Sequence, residues 1–115
     1  MERLRFDAEA AFTPRDERLE GVTVAPLTPP GSVQAAVFRL AAGGRIARHR
    51  ATVPQILVVL EGEGHVSGAD GEFEPIAAGE AVFWSASEEH ETVSDGGLTA
   101  LVLEAEGLMP SRRPR

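Results

Sequence analysis

Turn residues cut this chain into short apolar pieces, and that rhythm most limits what it can fold into. The turns are Pro29-Pro30-Gly31, Gly43-Gly44, Gly62-Glu63-Gly64, Gly68-Ala69-Asp70-Gly71, residues 75–79 and Asp95-Gly96-Gly97. Between them lie apolar segments rich in branched or aromatic side chains, at residues 33–40, 56–60, 81–84 and 98–103. Short strands with a turn signal roughly every 8–12 residues read as an all-β sandwich or barrel. No internal stretch sustains a helical period with caps. Residues 7–12 are expected to form only a helical turn. No repeat, linker or low-complexity stretch divides the 115 residues, which suit one domain with a small core.

Alternation along the strands makes the expectation sharper. Successive side chains of a strand point to opposite faces. If Gln55 faces a barrel interior, so do Leu57 and Val59, and Ile56, Val58 and Leu60 face outward. Those outward residues are apolar too, and residues 98–103 behave the same way apart from Thr99. A strand apolar on both faces is buried on both faces. The outer face therefore needs a cover, and a homodimer using part of the outer sheet is expected.

Composition removes several chemistries. There is no Cys, no Tyr and no Lys, and all eleven basic residues are Arg. Thiolate chemistry, disulfides, Schiff-base lysines and tyrosyl acids or bases are excluded. Imidazoles at His49, His65 and His90, carboxylates, hydroxyls and Gln remain. A net charge of −7 disfavours nucleic acid as a partner. No stretch approaches the ~20 apolar residues of a membrane span, and the N-terminus lacks the apolar core of a signal peptide. No membrane partner and a cytoplasmic location are expected. Of two small basic groups, Arg45/Arg48/Arg50 and Arg112/Arg113/Arg115, the second reads as a solvated tail.

Two segments carry chemistry. In the first, Gly43-Gly44 precedes His49, Arg50, Ala51 and Gln55, then residues 56–60 and Glu61-Gly62-Glu63-Gly64. The second runs from Gly79 to Ala86 and is closed by His90. Together they resemble the two motifs of the cupin superfamily, over about residues 33–103. The pattern is similar to small, single-domain RmlC-like cupins with a degenerate first motif. In that family the first motif supplies His-x-His and a Glu, and the second supplies another His. Here Ala51 stands for the second His and Gln55 for the Glu. The resemblance implies a double-stranded β-helix, or jelly-roll barrel, over residues 31–106. An N-terminal segment over residues 1–30 would add an edge strand, and residues 107–115 would form a tail.

The resemblance also implies a divalent metal (Ni, Fe, Mn or Zn) at His49, Gln55 and His90. That site is weakened or lost, because Ala51 has no donor atom and Gln55 no charge. Residues 49, 51 and 55 share strand parity, which would put their side chains on one face. Arg39, Leu57, Val59 and Trp84 are the expected walls of a ligand pocket, with Arg39 read either as an inward bidentate partner for a carboxylate or as an exposed or paired residue on an outer face. His65 reads as a surface residue. Of Phe83 and Trp84 one faces inward, and a carboxylate among Glu88, Glu89 and Glu91 would orient His90. Two classes of function follow. One is a small enzyme of dioxygenase, isomerase or lyase type acting on a small organic substrate. The other is a metal-free small-molecule binding module, or a structural or regulatory subunit.

Overall fold

The computed structural model describes residues 4–5, 7–27 and 33–110. The Pro29-Pro30-Gly31 turn and the Arg112/Arg113/Arg115 cluster lie outside these residues. A single 3-10 turn, Ala8–Ala10, is capped by the Asp7 carboxylate, which accepts from the Ala10 N–H. Seven strands follow: β1 (Leu19–Pro26), β2 (Val33–Arg50), β3 (Gln55–Ser67), β4 (Glu74–Ala77), β5 (Ala81–Trp84), β6 (Glu89–Ser94) and β7 (Leu98–Ala105). Among the described residues no helix is long and apolar enough to cross a membrane.

Two long strands build the jelly roll. The first part of β2 pairs with β7, from Val33↔Ala105 to Leu40↔Leu98, and its last part pairs with β6, from Gly44↔Ser94 to Arg50↔Glu89. β3 divides in the same way. Its first part pairs with β7 and β5, and its last part with β6 and β4. The circuit β2–β7–β3–β6 and back to β2 is therefore closed by hydrogen bonds and encloses an interior. β1 pairs antiparallel with β2, and Phe12 bridges to Val24 on its far side.

β3 turns the corner at glycine. Gly62 has φ +81°, and a Cβ there would run into the Gly97 carbonyl and lie 2.9 Å from the Leu98 Cα. Only glycine tolerates that conformation and that approach together. The interior is filled by Leu57, Val59, Leu98, Ala100, Val102 and their neighbours on β1, β2 and β4. The expected alternation holds on β3, where Leu57 and Val59 are buried inside and Ile56 and Val58 are half-buried on the other face.

Candidate functional site

At one end of the interior lies a cavity of about 150 Å³. His49 stands at the end of β2 and His90 near the start of β6, and the two are direct cross-strand partners. Their ring centroids are 4.3 Å apart. A bulge creates this meeting. Between the pairs Ile46↔Thr92 and His49↔His90, β2 uses one residue more than β6. The extra residue resets the alternation, so Ile46 and His49 both line the cavity although three positions apart. Trp84, 2% exposed, stacks on His90 at 4.3 Å with an interplanar angle of 24° and closes the wall.

Both imidazoles are held by main chain. His49 Nδ1 donates to the Ala47 carbonyl at 2.8 Å and His90 Nδ1 to the Glu88 carbonyl at 3.1 Å. A carbonyl only accepts, so each Nδ1 carries the hydrogen and each Nε2 is left for the cavity. His90 is 2% exposed and its Nε2 has no partner among the described residues. Burial lowers its pKa, outweighing the Glu88 carbonyl, which raises it, while the His49 charge lowers it further. The folded ring is thereby biased toward the neutral form.

A carboxylate does not orient His90, contrary to the sequence expectation. Its partner is the Glu88 main chain, whose carbonyl also accepts from Ala51 N–H. The Glu88 carboxylate ties the preceding turn instead, accepting from Ser85 N–H, Ser85 Oγ–H and Ala69 N–H.

The remaining expected residues divide. Gln55 opens β3, lines the cavity and donates from Nε2 to Glu104 Oε1 at 2.6 Å. Leu57 and Trp84 also line it. Val59 lies further along the core and does not reach the cavity wall. Arg39 is not in this cavity. Phe38 and Leu40 pack inward, so parity turns Arg39 to the outer face. There it lines a separate groove of about 560 Å³ with Glu61 and Thr99. Residues 49, 51 and 55 do not share one extended strand. β2 ends at Arg50 and β3 begins at Gln55. Ala51 is buried and pinned to the 87–88 turn through Ser87 N–H and the Glu88 carbonyl. His65 is exposed on β3, away from the pair.

Several lining residues carried no motif. Asp16 and Arg18 come from the loop before β1 and clamp each other, Arg18 Nε and Nη2 donating to the Asp16 carboxylate at 2.9 and 2.6 Å. The Arg18 guanidinium and N–H hold that carboxyl down, to about 2. Nothing around this loop marked it in the sequence. Glu104 and Thr92 were findable. Glu104 keeps step with Leu98, Ala100 and Val102 along β7, and Thr92 lies two positions after His90.

The residues at the family's ligand positions are a poor chemical fit to a divalent metal. Among the described residues no three His, Asp or Glu side chains converge as ligands. His90 Nε2 would suit one bond, and His49 Nε2 a second. The third donor is a neutral amide already directed onto Glu104. Two imidazoles and a neutral amide, the three residues at those positions, neutralise no cation charge themselves.

Comparison with known proteins agrees with the fold. The family model described as Cupin domain matches residues 36–106. The polyketide cyclase RemF from Streptomyces resistomycificus superposes with a TM-score of 0.80 at 22% identity, over 90% of this chain and 78% of that one. A predicted oxalate decarboxylase from Thermotoga maritima gives 0.80 at 22% identity, over 91% and 99%. An RmlC-like cupin from Shewanella frigidimarina gives 0.72 at 21% identity, over 90% of each chain. No curated protein matches the sequence.

Proposed function

We propose, from the premise that this chain belongs to the cupin domain family, that it binds a small organic molecule in its barrel without a resident metal. The observation that carries this reading is His90 Nε2, buried, unpartnered and beside a cavity. A buried polar atom left without a hydrogen bond costs about 1–3 kcal/mol. A ligand that supplies the missing bond recovers that cost. The walls fit the role, being apolar at Ile46, Leu57, Trp84 and Val102 with a few converging polar groups.

Elemental analysis of protein purified without a metal-affinity tag, followed by metal titration, tests the reading. Substoichiometric metal and no titration heat at millimolar Ni, Fe, Mn or Zn are expected. Near-stoichiometric metal that disappears in His49→Ala and His90→Ala would overturn it.

A second reading, an isomerase- or lyase-like enzyme, is favoured by the tautomer. A neutral imidazole with Nδ1–H held by a carbonyl has its Nε2 lone pair ready to take a proton from a bound molecule. For assembly we propose a homodimer through the outer sheet face, supported by the half-buried apolar side chains Ile56, Val58, Phe83, Leu101 and Leu103.

A further inference from the structure

We infer that the barrel ligand is a neutral, ring-sized molecule with two adjacent hydroxyl groups, held on His49 and His90. This rests on the cavity being a ligand site, as proposed above, and follows from counting what its polar groups offer.

Most of them accept, although the Thr92 hydroxyl can also donate and Gln55 and Arg18 keep N–H groups beyond those bonded to Glu104 and Asp16. His49 and His90 have each spent Nδ1–H on a main-chain carbonyl, so a neutral ring offers only the Nε2 lone pair. Gln55 has committed an amide hydrogen to Glu104, and its carbonyl oxygen accepts. Glu104 is a carboxylate. The one cation at the rim, Arg18, is clamped onto Asp16 through two nitrogens. Two carboxylates thus face one guanidinium around the cavity. A ligand carboxylate would meet a guanidinium already compensated by Asp16, a second carboxylate at Glu104 and several lone pairs. Losing its hydration there is costly.

Hydroxyl groups answer the inventory. The imidazole rings are 4.3 Å apart between centroids and tilted by 56°, so their lone pairs differ in direction but start close enough to take two donors on neighbouring ligand atoms. The apolar part of such a molecule would rest against Leu57, Trp84 and Val102. The volume of about 150 Å³ is that of cavities that admit a benzene-sized molecule. A ligand ammonium is disfavoured, since the acceptors stand among apolar walls where a full charge is poorly solvated.

The test uses the full chain in EDTA, so that no trace metal mediates binding. Catechol, benzoate, benzylammonium and benzene are titrated separately, followed by calorimetry and by the side-chain ¹⁵N resonance of His90. Catechol is expected to bind at least about tenfold more tightly than the other three, the worth of one or two hydrogen bonds. It is expected to move the His90 Nε2 resonance in the direction of an accepted hydrogen bond. His90→Phe, which keeps a ring against Trp84, is expected to lose that preference. If the variant does not fold, the wild-type ¹⁵N shift decides alone. Preferential binding of benzoate, benzylammonium or benzene would overturn the hydroxyl assignment and leave the pocket reading standing. Binding of none of the four would overturn both.

Discussion

His90 sets the behaviour of the site at the scale of single residues, and its burial has a thermodynamic signature. Desolvation disfavours the charged ring, so the folded protein takes up that proton at a lower pH than the ordinary 6.5. Between the two values the unfolded chain binds more protons, and stability rises with pH. The contribution of His90 is therefore whole above pH 6.5 and shrinks as the pH falls below it. Glu88, His49 and Arg48 are the charged or titratable neighbours that act on the ring. The melting temperature is expected to drop from pH 7 to pH 5, and His90→Gln to flatten part of that drop. An identical slope in the variant would contradict the assignment. Asp16 behaves in the opposite sense. Its carboxyl is lowered to about 2, so the stability it adds is present above the ordinary 3.8 and is lost only as the pH falls toward 2.

At the scale of elements, the corners of β2 and β3 decide whether the barrel closes. Gly62 combines a positive φ with a Cβ position blocked by Gly97 and Leu98 main chain. Gly62→Ala is expected to destabilise by about 1–3 kcal/mol or more in chemical denaturation. Gly96 is the control, having open space around its Cβ and an ordinary φ. Gly96→Ala is expected to stay within about 0.5 kcal/mol. Equal losses in the two variants would mean that the corner is not a steric requirement. The glycine corners and the alternation in β3 were legible in the sequence because turn chemistry and period-two burial are local properties. The bulge between Ile46 and His49 was not. It depends on how β2 registers against β6, a partner more than forty residues away. For the same reason residues 49, 51 and 55 looked like one strand, whereas residues 51–54 turn between two. Arg39 stayed open between pocket and outer face because strand parity gives two faces without saying which is inside. Phe38 and Leu40 settle that only once the barrel has closed. Asp16 and Arg18 arrive from a loop whose position is set by β1 pairing with β2, so no local pattern announced them.

For the whole molecule, a net charge of −7 must be reconciled with the association proposed between identical copies. The local basic group does not help, since Arg45 pairs with Glu20 and Arg48 and Arg50 lie against Glu89. Like-charged protomers repel over roughly a Debye length, about 8 Å at physiological salt. An interface must then come from surface without charge. Two rows across the outer sheet meet that requirement. Leu101 and Val58 follow one line of register, and Leu103, Ile56 and Phe83 follow the next. Arg39 and Glu61 enter only in the row beyond, level with Thr99. Burying such rows between copies removes apolar surface from water at about 25 cal/mol per Å². Light scattering at micromolar concentration is expected to give about twice the monomer mass of 12.2 kDa. Added salt should tighten the association by screening the repulsion. Phe83→Glu together with Leu101→Glu should return the mass to that of one chain, with circular dichroism verifying that the strands persist. A wild-type mass near 12.2 kDa at every salt concentration would leave these two rows facing water and overturn the proposed interface.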